Sequence, residues 1–117
     1  WWGPHGWTIE DDSIIFEPMV GGRHELTMVQ VDNPEAKVPL KAVITAFDEY
    51  TCLVSDDGPH EMTLDLVIST RVDFREFAGK TSITLTQGPL PYEVIESSTK
   101  AWNSAFSKLE NLLSEFF

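Results

Sequence analysis

Apolar and polar positions change their period once along the chain. As far as Gln87 the apolar residues mostly alternate with polar ones, the period of half-buried strands. The loop Gly3-Pro4-His5-Gly6 is marked by its breakers. Thr8-Ile9 and Ser13 to Glu17 read as two halves of one strand, interrupted at Asp11-Asp12. Gly21-Gly22 makes a turn. From Arg23 to Val31, His24, Leu26 and Met28 share one face and Glu25 and Thr27 the other. Asp32-Asn33-Pro34-Glu35 is a turn cluster. Leu40, Ala42, Ile44 and Ala46 then share the face of a further strand, and Tyr50 to Ser55 is a short one closed by Asp56-Asp57-Gly58-Pro59. Met62 to Phe77 reads as a long strand with Leu64, Leu66, Ile68, Val72 and Phe74 on one parity. Ala78-Gly79 connects it tightly to Thr81–Gln87, where Ile83 and Leu85 point inward, a clear hairpin.

Gly88-Pro89-Leu90-Pro91 ends the alternation. From Tyr92 to Phe117 the apolar residues Ile95, Trp102, Phe106, Leu109, Leu113 and Phe116 recur in steps of three and four, with Val94, Ala105 and Leu112 beside them. That spacing predicts one amphipathic helix, about 37 Å long. Pro91 suits its first turn, and Glu93 and Glu96 lie toward the positive end of its dipole. Strands followed by one long helix imply an α+β fold.

Four segments carry a resemblance: Trp1-Trp2-Gly3-Pro4, Gly21-Gly22 before an alternating strand, the run from Gly79 to Gln87, and Trp102-Asn103 leading to Leu109, Leu112 and Leu113. In order and spacing, across essentially all 117 residues, the chain resembles the START-like (SRPBCC) superfamily. Its nearest likeness is the branch named after the activator of the ninety-kilodalton heat-shock protein ATPase. The resemblance implies a helix-grip fold, a curved antiparallel sheet wrapped around the long C-terminal helix with a cavity between them. It also implies that residues 1–117 form a single START-like domain, N-terminally incomplete. The family domain begins with a strand and one or two short helices ahead of the Trp-Trp-Gly-Pro element, and these are missing from the sequence. His24 stands where family members often carry an aromatic residue.

Composition narrows the choice of function. Hydrophobic residues make up 42% and charged residues 23%, values of an ordinary globular chain rather than a disordered one. No apolar run approaches the roughly 20 residues of a membrane span. Eight Lys and Arg against 19 Asp and Glu leave a net charge of −11. Such a balance repels the phosphate backbone of nucleic acids and anionic membrane surfaces. Cys52 is the only cysteine, so no internal disulfide forms, and a cytoplasmic location is expected.

No reactive constellation stands out. His5, His24 and His60 lack the close spacing of zinc ligands, so neither a metal nor a cofactor is expected. His5 and His60 read as solvated turn residues and His24 as an inward-facing one. Asp11-Asp12 and Asp56-Asp57 are adjacent, and neighbours on a strand point to opposite faces, so neither is a natural catalytic dyad. Cys52, with no Lys or Arg beside it in sequence, reads as a small buried hydrophobe. No catalytic residue is assigned. Aromatic and apolar residues are more informative. Trp7, Phe16, His24, Met28, Phe47, Phe74, Trp102, Phe106 and Leu109 are candidates to line an apolar cavity, with plain core packing as the alternative for each. Arg23 joins His24 as a candidate polar group, although its parity puts it outside. Phe116 and Phe117 either cap the core or contact a partner.

The expected function is therefore a small hydrophobic-ligand-binding module, acting as a monomer or homodimer. One alternative is a cyclase- or hydrolase-like enzyme on the same fold, with His24 as general base. A second is a co-chaperone-like, stress-related interaction domain with a chaperone partner.

Overall fold

The computed structural model describes residues 1–116; Phe117 lies outside the described residues. The fold is α+β. Its strands are β1 (Trp7–Ile9), β2 (Ile15–Phe16), β3 (Arg23–Gln30), β4 (Asn33–Asp48), β5 (Cys52–Asp57), β6 (Ile68–Phe77) and β7 (Lys80–Gly88), followed by helix α1 (Tyr92–Phe116). They form a seven-stranded sheet in the order β1-β3-β4-β5-β6-β7, with β2 also paired to β3. The chain divides into two compact units. Among the described residues the first holds 1–14, 26–39 and 91–116; the second holds Ile15–Glu25 and Leu40–Leu90.

In the first unit, β1 runs antiparallel to β3, with Trp7 opposite Gln30 and Ile9 opposite Met28. A 3-10 turn, Asp11–Ser13, follows β1 and interrupts the strand where Asp11-Asp12 was expected to break it. Ser13 explains the break: its hydroxyl donates to the Glu10 carbonyl at 2.6 Å and accepts from the Thr27 amide at 2.9 Å. A serine that bonds the local backbone this way competes with the ladder. Leu26 and Val29 are buried here, as is Ala105 of α1. The helix is fixed to residues 1–7 by specific contacts. Trp102 meets Trp2 edge-on at 5.0 Å, Phe106 stacks on Trp1 at 6.1 Å, and Ser104 accepts a hydrogen bond from the His5 amide at 2.8 Å. Other positions of the expected apolar stripe stay exposed: Ile95, Leu112, Leu113 and Phe116.

In the second unit, β2 pairs with the start of β3, Phe16 opposite His24. The expected parity of β4 is observed, with Ala42 and Ile44 buried, and a bulge lies between Ile44 and Ala46. The chain after Gly21-Gly22 is held by Gly21 N–H to Ile44 C=O at 2.7 Å and Ile44 N–H to Gly22 C=O at 2.9 Å. The β6–β7 hairpin closes at Phe77–Lys80. Ala78 and Gly79 both adopt positive φ, 53° and 75°, the geometry of a two-residue hairpin turn.

Three expected boundaries move. β4 starts at Asn33, inside the expected turn cluster, so the turn shrinks to Val31-Asp32. Asp56 and Asp57 belong to β5 rather than to a turn, with Asp57 opposite Ile68. The strand expected from Met62 begins only at Ile68, because residues 60–66 fold on themselves. Thr63 Oγ1 donates to the His60 carbonyl and accepts from the His60 amide, both at 3.0 Å. His60 Nδ1 accepts from the Met62 amide at 3.1 Å, while Nε2 lies 2.8 Å from Asp57 Oδ1. Leu64 and Asp65 then turn through positive φ, 55° and 60°, which removes Leu64 from any strand parity. His60 is thus built into a cap instead of being solvated.

Candidate functional site

The first unit contains a pocket of about 430 Å³, within the range of small-molecule sites. Three indoles, Trp1, Trp2 and Trp7, line it. Ile9, Ile14 and Leu26 add aliphatic surface. Its polar side chains are Thr8, Asp11 and Lys108. Each arrives by a local rule already described. β1 carries Trp7, Thr8 and Ile9, β3 carries Leu26, and the Ser13-held 3-10 turn presents Asp11. Lys108 comes from α1.

Lys108 and Asp11 differ in what they offer. Lys108 Nζ donates to the carbonyl oxygens of Gly3 at 3.1 Å, Pro4 at 3.4 Å and Trp7 at 3.0 Å. An ammonium has three protons, and three carbonyls are in reach. Burial lowers the Lys108 pKa below its usual value. Asp11 is exposed and its carboxylate has no hydrogen-bond or ion-pair partner among the described residues. The neighbouring Glu10 is occupied, with its carboxylate 2.5 Å from Lys37 Nζ.

The nine candidate cavity residues are divided between the units. Trp7, Met28, Trp102, Phe106 and Leu109 belong to the first unit; Phe16, His24, Phe47 and Phe74 belong to the second. Trp7 lines the pocket. Trp102 and Phe106 stand behind it, supporting Trp2 and Trp1 and lying 6.3 Å from each other. Leu109 is half-buried on the same helix. Met28 packs so closely under Gly3 that a Cβ there would lie 2.7 Å from its sulfur. In the second unit, Phe16 meets His24 edge-on at 5.4 Å and Phe47 at 6.5 Å, while Phe74 is 37% exposed. His24 is buried as expected, and burial lowers its pKa. Arg23 is exposed and held by Glu17 at 3.1 Å, the outward position its parity gave.

Sequence reasoning missed Trp1 and Trp2 as lining residues, and it missed Asp11 and Lys108. For Lys108 a signal existed: it is a cation three positions after Ala105 and four before Leu112, in line with apolar residues of the helix. For Asp11 there was none, because a carboxylate in a turn has the same sequence signature whether or not a pocket opens beside it.

Cys52 is half-buried opposite Asp73 on β6, and Arg71 makes a two-pronged contact with that carboxylate at 2.9–3.1 Å. Burial pushes the thiol pKa up, and the Arg71 charge does not outweigh it. Among the described residues no group of three or more His, Cys, Asp or Glu is placed to hold a metal ion. No helix among them is long and apolar enough to cross a membrane. No protein-family model matches the chain, and neither a curated protein nor a solved structure matches it.

Proposed function

We propose that the chain is a binding module for a small, mainly apolar molecule, held in the pocket of its first unit. The observation that carries this reading is the wall of three indoles around a pocket of about 430 Å³, with aliphatic side chains completing it. Aromatic rings bury a large area at little entropic cost, and a site of this kind gains most of its affinity from apolar contact. Polar groups share the lining with this aromatic and aliphatic surface and serve orientation. The order of elements, strands and then a 25-residue helix, supports the START-like, helix-grip reading at the level of fold. In that reading the ligand lies between α1 and the strand residues of the same unit.

Native mass spectrometry tests this directly. The expected spectrum has either a mass excess of a few hundred daltons that disappears on denaturation, or a ligand-free protein whose tryptophan fluorescence responds saturably to added 1-octanol. A ligand-free protein with no saturable response to 1-octanol overturns the reading.

A further inference from the structure

The two charged side chains that line the pocket, Lys108 and Asp11, differ in what they have free, and the difference bears on which molecules it accepts. Lys108 is the expected anchor for an anionic ligand, yet its ammonium is turned onto the carbonyls of Gly3, Pro4 and Trp7 at 3.0–3.4 Å. Its donors are committed to holding the loop, and an anion would have to break those bonds to reach them. Asp11 is in the opposite condition. Asp11 lines the pocket, and its carboxylate has no partner among the described residues. The nearby basic side chain Lys37 is already paired with Glu10. The same pocket is lined by Trp1, Trp2 and Trp7, and indole is the best aromatic partner for a cation. The net charge of −11 raises the local concentration of cations further.

We propose that this pocket selects organic cations, an ammonium head carried on an apolar body, with Asp11 receiving the head and the indoles enclosing it. The inference rests on the binding reading given above. Repulsion from Lys108 is the opposing effect. It is weakened where three carbonyl oxygens already take up the donors of that ammonium and burial lowers its pKa.

The test compares three probes with one chain length: octyltrimethylammonium, 1-octanol and octanoate, followed by tryptophan fluorescence at low and moderate salt. Octyltrimethylammonium is expected to bind about five- to tenfold tighter than 1-octanol, the increment of a cation on aromatic faces beside a carboxylate. Octanoate is expected to bind weakest. Asp11→Asn, nearly isosteric, should reduce the preference for the cation over 1-octanol to about twofold or less. Asp12→Asn removes the same charge next door, from a side chain that does not line the pocket, and should leave the preference intact. Equal binding of octanol and the cation, tighter binding of octanoate, or equal effects of the two Asn variants overturn the cation preference and leave the binding reading standing. No binding of any probe overturns both.

Discussion

The ammonium of Lys108 lies 3.0 Å from the backbone carbonyl oxygen of Trp7. The two residues are 101 positions apart, on α1 and at the start of β1. Through this bond and those to Gly3 and Pro4 the helix fixes the loop that carries the indoles. Lys108→Met keeps the length of the side chain and removes every donor. It removes the bonds to three carbonyl groups of a half-buried loop, of which that of Pro4 keeps the Trp7 amide as a donor, and hydrogen bonds from a charged group are worth about 1.5–3 kcal/mol. The expected result is a loss of about 2 kcal/mol in urea unfolding, with tryptophan emission shifted to the red as the loop loosens. Unchanged stability and emission would show that the loop holds itself.

Trp102 supports Trp2 from behind, edge-on at 5.0 Å. Trp102→Ala removes that support and leaves a void, so stability should fall by about 3 kcal/mol. Affinity for 1-octanol should fall too, although Trp102 does not itself line the pocket. Trp102→Phe keeps an aromatic edge and should recover most of both. A Trp102→Ala protein that binds 1-octanol normally would separate the pocket from the helix behind it.

Gly22 and Gly6 make a paired test of why glycine stands where it does. A Cβ on Gly22 would lie 2.1 Å from the Glu17 carbonyl oxygen and 2.9 Å from that of Met19. Both are backbone atoms that cannot move aside. Gly6 has φ of +89° but nothing within 4 Å of an added Cβ. Gly22→Ala is therefore expected to cost about 3 kcal/mol or more through steric overlap, and Gly6→Ala only about 1–2 kcal/mol through backbone conformation. Thermal unfolding of the two variants checks the order, and a reversed order contradicts it.

His24 gives the fold a pH dependence whose sign follows from its burial. Its folded pKa is lowered from 6.5 because burial disfavours the imidazolium. As pH falls through about 6.5, the unfolded chain takes up this proton first. The contribution of His24 to stability is thus complete above that pH and is lost as pH falls toward the lowered folded value. Glu17 and Asp73 have pKa values lowered from 4.5 and 3.8, chiefly by hydrogen bonds from Arg23 and Arg71, and their contributions are lost only at more acid pH. Between pH 7.5 and 5.5, His24→Leu should therefore show a shallower decline in stability than the parent chain. Parallel slopes would mean that His24 is protonated equally in both states.

Particular residues show what the sequence made legible. The period of two in β3 and β4, the Ala78-Gly79 turn and the three-and-four spacing of α1 are local signals, and each element forms where its signal lies. Residues 60–66 carried a strand-like parity through Leu64 and Leu66, but the Thr63 hydroxyl and the His60 ring offer the backbone closer partners than a neighbouring strand. Periodicity registers side-chain polarity and not such capping bonds. Parity placed His24 inward and Arg23 outward correctly. It could not tell that Phe16, Phe47 and Phe74 belong to one unit and Trp102 and Phe106 to the other. A parity assigns a face of a strand or helix, whereas membership of a pocket depends on which segments distant in sequence come together.

The most direct test of the account is to follow the indole Nε1–H signals of Trp1, Trp2 and Trp7 by proton–nitrogen NMR during titration with 1-octanol, with the methyl groups of Ile44 and Val72 in the second unit as references. The account predicts that the three indole signals move together along one saturable curve while the reference methyls stay fixed. Stationary indoles, or saturable movement of Ile44 and Val72 instead, would contradict it.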